Sequence, residues 1–212
     1  MSQNLKYEFL RADVIKKGFI ARSNVLMYDE NKDVILIHLD RPFQSGKMSE
    51  THSTYYHSPL GLLKISGTGE FISEVSFHDN TQKNEGNKRH LPPLLIQCIE
   101  ELIQYFNGER RAFDLPINQS GTPFQQQVWN ELAVIPFGKT ISYIQLAIKT
   151  GDPKATRAVA NANGKNNVAI IIPCHRVIGA NRSLVGYAGG LWRKKWLLEH
   201  EMKIAHGVQT LF

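Results

Sequence analysis

The stretch Ile171-Ile172-Pro173-Cys174-His175-Arg176-Val177-Ile178 sets a cysteine beside a histidine directly after an apolar run. A thiol is a strong nucleophile only as the thiolate, and a neighbouring imidazole can take its proton. The run Val168-Ala169-Ile170-Ile171-Ile172 reads as a buried strand. Pro173 cannot donate to a ladder and biases Ile172 towards an extended backbone. Cys174 then stands where the chain leaves the core, on a stiff support. Most free cysteines are inert packing, and Cys98 supplies the contrast. Across residues 91–102 apolar side chains recur at helical spacing, and neither histidine nor cation adjoins Cys98. It reads as core.

Outward from that stretch, the second half reads as mostly helical around one short strand. Thr122 and Pro123 supply a cap and a first-position proline for a helix to about residue 134. Ser142 opens a helix to about 150, Gly151-Asp152-Pro153 turns the chain, and 154–163 is the next helix. Two short helices about a glycine-containing turn form a helix-turn-helix pattern. A last helix covers about 191–201. In the first half, 54–77 is β-hairpin material with turns at Ser58-Pro59-Leu60-Gly61 and Gly67-Thr68-Gly69. Residues 79–90 read as a polar surface loop, 91–106 as a helix ending at Asn107-Gly108, and 114–121 as a domain linker. Residues 1–50 show one strand candidate, 34–39, and no recognisable chemistry.

The net charge of +6 is unevenly placed. Residues 121–212 carry 11 Lys/Arg and 4 Asp/Glu, whereas residues 1–120 carry 14 and 15. The positive excess lies in the half that holds Cys174. Basic surfaces bind polyanions by releasing counterions, so nucleic acid is the natural partner of that half. Two cysteines in unlike contexts argue against a disulfide framework and for a reducing compartment. The start lacks the apolar core of a signal peptide, and no apolar run is long enough to span a bilayer. A soluble, cytoplasmic or nuclear chain acting as a monomer, with no membrane partner, is expected.

Pro173-Cys174-His175-Arg176-Val177 resembles the active-site motif of the O6-alkylguanine-DNA alkyltransferases. Four further motifs follow that family's order: Phe124-Gln125-Gln126-Gln127-Val128-Trp129, Ile141-Ser142-Tyr143, Lys154-Ala155-Thr156-Arg157-Ala158-Val159, and Gly186-Tyr187-Ala188-Gly189-Gly190. The likeness runs from about 121 to 201 and, more loosely, back to about 54. One such match could be chance; five in register could not. The resemblance implies an α+β chain. An RNase H-like sheet domain at 51–119 would precede a helical, winged-helix-like domain at 120–212, with 1–50 as an extension. It implies repair of double-stranded DNA by transfer of an alkyl group from guanine O6, and from thymine O4, to the protein's own cysteine.

Carried over residue by residue, Cys174 attacks the alkyl carbon. A free thiol is only about 3% ionised at pH 7, so the site is expected to favour ionisation over the cost of burial. His175 would take the proton through a water, Glu201 would orient and charge His175, and Asn166 would brace the active-site segment. Tyr143 would meet the guanine and the 3′ phosphate and protonate the departing ring. The helix bearing Lys154, Ala155, Arg157 and Ala158 would enter the minor groove. Its small residues, Ala162 among them, would allow close approach, and Arg157 would fill the space of a flipped nucleotide. Val177 would offer a carbonyl to the guanine amino group, and Tyr187, Ala188 and Gly189 would line the pocket. Arg176 would brace structure. A thioether has no route back to a thiol, so each molecule would act once.

The chain departs from the pattern at Asn167, where relatives commonly have proline, and at Ala188, where some have serine. No cysteine precedes residue 98, and His52, His57, His78 and His90 lack compact ligand spacing, so neither metal nor cofactor is expected. Two other classes stay open at this level. A lesion-flagging DNA binder would keep Arg157 and Tyr143 but have no use for Cys174. A cysteine hydrolase would use Cys174, His175 and Glu201 for acyl transfer but would need an oxyanion hole.

Overall fold

Leu63 and Ile65 alternate with more exposed neighbours along β4 (Gly61–Gly67) and are fully buried, the period-two pattern of a half-buried strand. β4 is the centre of an antiparallel meander with β3 (His52–Ser58) and β5 (Ile72–Phe77). The Ser58 hydroxyl closes the first turn by donating to the Gly61 carbonyl at 2.7 Å. Leu63 faces Phe77 and Ile65 faces Val75, so one face of the sheet presents a continuous apolar surface. The structure, a computed structural model, describes residues 25–28, 34–37, 50–79 and 91–207. Most of 1–50 and the polar stretch from 80 to 90 lie outside the described residues.

The chain divides between Met48 and Ser49. In the first unit, β1 (Val25–Tyr28) pairs antiparallel with β2 (Val34–Ile37), within the expected 34–39 strand. In the second unit, α1 (Pro93–Asn107) packs Leu95, Cys98, Leu102, Tyr105 and Phe106 at helical spacing into the core behind the meander. Gly108, at φ 82°, closes α1 in the left-handed region that favours glycine. Residues 114–121 are more than a linker. Ile117 bridges Ile72 in parallel, through Ile72 N–H to the Pro116 carbonyl (2.8 Å) and Asn118 N–H to the Ile72 carbonyl (2.9 Å).

The helical part follows its caps. α2 (Pro123–Ala133) and α3 (Tyr143–Lys149) each begin with a reciprocal capping box, Thr122 with Gln125 and Ser142 with Gln145. Asp152 caps a 3-10 turn, Pro153–Ala155, that leads into α4 (Thr156–Gly164). A short parallel pair joins β6 (Ile141–Ser142) to β7 (Val177–Ile178), and α5 (Leu191–His206) closes the chain. Among the described residues no helix is long and apolar enough to cross a membrane.

One expectation fails. Residues 168–172 are a tight turn, with only Val168 making a strand-like bridge, to Val75. An apolar run of five cannot by itself distinguish strand from buried turn. Here the polar partners decide. Asn166 Nδ2 donates to the Ile172 carbonyl at 2.8 Å, its Oδ1 accepts Val168 N–H at 3.0 Å, and Ile172 N–H returns to the Val168 carbonyl at 3.0 Å. Ile170 is fully buried at φ 72°, a conformation β-branched residues rarely adopt. The stiff support beneath Cys174 is therefore a side-chain-clamped turn.

Candidate active site

Cys174 opens a 3-10 turn, Cys174–Arg176, and is 5% exposed. That turn sends His175 and Arg176 inward, towards α5. His175 is fully buried, and its Nε2 lies 2.8 Å from Glu201 Oε1. Arg176 grips the same carboxylate through Nε (2.9 Å to Oε2) and Nη2 (2.9 Å to Oε1), while its Nη1 donates to the Ile135 carbonyl. Gly138 N–H and the Tyr105 hydroxyl donate to Glu201 at 3.0 and 2.9 Å. So many donors favour the charged form and hold the Glu201 carboxyl far below its ordinary range despite burial.

This arrangement fixes the histidine tautomer. Burial lowers the His175 pKa, with Glu201 opposing, so the ring is neutral near pH 7. A charged carboxylate only accepts, so Nε2 carries the hydrogen. Nδ1 is left with a bare lone pair and, among the described residues, no partner. A buried acceptor without a donor is costly, and here it belongs to the residue next to a thiol. The expectation that the site favours ionisation is overturned for the resting protein. Burial pushes the Cys174 thiol up, and Asn166 and Lys194 only partly offset it. The thiol rests protonated and needs a base.

Lys194 escaped sequence reading. It is fully buried, its Nζ donates to the carbonyls of Val177 (2.6 Å), Val185 (2.8 Å) and Gly186 (3.3 Å), and burial brings its pKa down to about 8. Within Arg193-Lys194-Lys195 it looks like part of a solvated basic face. Its signal was spacing: Lys194, Leu197, Leu198 and Glu201 form one buried stripe of α5. Val177 is fully buried and its carbonyl already receives Lys194, which leaves one lone pair for any ligand. Arg176 braces structure, as expected, but by holding Glu201.

The other expected residues fall into two groups. Tyr187, Ala188 and Gly189 line a cavity of about 90 Å³ with Cys174, Asn163, Asn166 and Ala169, and Val75, Ser76 and Phe77 of β5 close its other side. The Tyr187 hydroxyl and Asn163 Oδ1 are buried without partners among the described residues. Tyr143 lies apart from that wall; its hydroxyl donates to the Val185 carbonyl at 3.2 Å, and its pKa is raised first by burial and then by Cys174. Lys154, Arg157 and Ala158 are exposed on α4 and the turn before it, with Ala155 half-buried. Ala162 is corrected: it is 2% exposed, and its carbonyl receives Trp129 Nε1 at 2.8 Å. The basic surface is also thinner than composition suggests, because Arg176, Arg193 and Lys194 are buried.

Fold and site together define a protein in which a buried cysteine, backed by a neutral histidine, opens onto a cavity between a small sheet domain and a helical domain. Comparison with known proteins gives the family. Residues 51–119 match the ribonuclease-like domain, and residues 123–203 the DNA binding domain, of 6-O-methylguanine DNA methyltransferase. A methylated-DNA–protein-cysteine methyltransferase of Mycobacterium bovis is 42% identical over 76% of this chain and 98% of its own length. The constitutive one of Bacillus subtilis is 40% identical, over 72% and 96%. The crystal structure of the Mycobacterium tuberculosis O6-methylguanine methyltransferase superposes with a TM-score of 0.66 at 40% identity, covering 75% of this chain and 97% of that one. A complex of the M. tuberculosis protein with DNA gives 0.65 at 41%, covering 72% and 94%. The chain belongs to the 6-O-methylguanine DNA methyltransferase family.

Proposed function

We propose that this protein repairs double-stranded DNA by moving the alkyl group of O6-alkylguanine onto its own Cys174, once per molecule and as a single chain. One observation carries the reading: His175 offers an unpartnered Nδ1 beside Cys174 while Glu201 occupies its Nε2. The names of the relatives and the DNA complex of the M. tuberculosis protein support the substrate class.

The duplex lies against α4, where the exposed Arg157 takes the place of the extruded nucleotide, because O6 and its alkyl carbon cannot be aligned for displacement inside the stack. The base enters the cavity beside Cys174. His175 Nδ1 takes the thiol proton through a water, and Glu201 stabilises the imidazolium. Lys194 stabilises the thiolate through its charge. The sulfur forms its bond to the alkyl carbon as the carbon–O6 bond breaks, and the electron pair returns to the purine. The base gains a proton from the Tyr143 hydroxyl, which recovers one through solvent from His175. Products are a thioether and an ordinary guanine.

Intact-protein mass spectrometry after mixing with an O6-methylguanine duplex tests this. One methyl group should be gained per chain, and none by Cys174→Ala. Sustained turnover of an ester, or no mass gain, would instead support a hydrolase or a chemistry-free binder.

A further inference from the structure

The cavity beside Cys174 is closed on one side by the sheet domain, and Phe77 at the end of β5 stands on that side. Register places Phe77 opposite Leu63, on the face turned to the core, yet it remains partly exposed because the sheet ends there. Its ring meets the pocket loop directly. A Cβ built on Gly189 would lie 2.5 Å from Phe77 Cδ2, so loop and ring touch with no spare room. Tyr187 packs edge-on against the same ring, with centroids 6.2 Å apart.

Phe77 is also locked in place. The Arg193 guanidinium lies 4.5 Å from the Phe77 ring centroid and 4.6 Å from that of Trp192. It is 5% exposed, and its donors bind both domains: Nε reaches the Leu60 carbonyl (2.8 Å), Nη1 the Gly189 carbonyl (2.8 Å) and Nη2 Asp79 (2.5 Å). One planar fork thus ties the β3–β4 turn, the end of β5 and the pocket loop together. A wall held from three directions cannot yield to a larger guest, as interiors resist small changes in volume.

We propose that Phe77, pinned by Arg193 against the Gly189 loop, sets the size of the alkyl group this protein accepts. The inference rests on the proposed transfer to Cys174. The sheet domain then takes part in specificity, although Cys174, His175 and Glu201 all lie in the helical domain.

Single-turnover rates for O6-methyl- and O6-benzylguanine in the same duplex test it, normalised to active molecules by the end-point of methyl incorporation. Phe77→Leu and Phe77→Ala should raise the benzyl-to-methyl rate ratio, Ala by about tenfold or more, the scale of discrimination an apolar pocket gives per group. Gly189→Ala alone should lower the ratio, and Phe77→Ala should restore it in the double variant. The Phe77→Leu and Gly189→Ala arms decide the matter if Phe77→Ala does not fold. An unchanged ratio in variants that still transfer methyl, or simple additivity in the double variant, overturns the size gate alone. Absence of methyl transfer by the unmodified protein would instead overturn the function beneath it.

Discussion

Glu201 serves two partners of different kinds: Arg176 neutralises its charge, and His175 takes its direction from it. Glu201→Gln leaves Arg176 buried and unpaired, and should cost about 3–5 kcal/mol of stability in denaturant melts. Alkyl transfer should slow by about 10²–10⁴-fold while duplex affinity stays near normal. Both lowered pKa values give stability that is present at neutral pH and is lost on acidification. The loss begins as pH falls below about 6.5, where an unfolded histidine starts to bind the proton the buried ring refuses, and deepens below about 4.3 through Glu201. His175→Asn should flatten the first part of that decline between pH 7 and 5; an unaltered slope counts against a neutral buried ring. Lys194→Met should raise the pH at which transfer becomes fast, because it removes the one cation that lowers the Cys174 pKa and leaves Asn166 and the backbone N–H groups of Cys174 and His175 to oppose burial. Glu201 was legible only through the family motif, since Glu199-His200-Glu201 looks like solvated helix. Lys194 was overlooked because it sits in the basic run Arg193-Lys194-Lys195, although its helical spacing with Leu197, Leu198 and Glu201 marked the buried stripe.

At the scale of elements, the 166–172 turn carries the site, and Asn166 carries the turn. Asn166→Ala removes an acceptor for Val168 N–H and the donor to Ile172, so about 1–3 kcal/mol of stability should go, and transfer with it. The departure at Asn167 has a physical account. Its N–H donates to Gln119 Oε1 at 2.9 Å, and Gln119 Nε2 reaches Asn166 Oδ1 at 3.2 Å. Asn167→Pro deletes that donor, so the more family-like sequence should be the less stable one here. A higher melting temperature for Asn167→Pro would show that the Gln119 link is idle. Caps made α2 and α3 legible to within a residue or so, α5 runs five residues past its expected end at 201, and 168–172 was misread because side-chain amides, invisible to periodicity, satisfy its backbone. On α4, Arg157→Ala should slow repair of duplex lesions far more than repair of the same lesion in a single strand. Equal slowing would place Arg157 elsewhere in the process.

Across the whole molecule, the sheet domain reaches into the chemistry through Tyr105. Its hydroxyl, on α1, donates to Glu201 Oε1 from a fully buried position. Tyr105→Phe keeps the packing and removes one donor, so His175 should become more basic by NMR titration, with a stability loss of about 0.5–1.5 kcal/mol. An unmoved His175 titration would make Tyr105 a packing residue. Sequence order gave the succession of sheet then helices, but which side chains cross between them depends on docking, which no local pattern records.

Cys98 lies fully buried on α1, its pKa pushed up to about 12 by burial and by Glu101. Of the two thiols in the chain, only Cys174 has an unpartnered base at its side. A fluorescent or affinity group attached to the transferred alkyl substituent on O6 would therefore be installed at a single address, in a one-to-one ratio. Counting the dye would count the molecules that had fired.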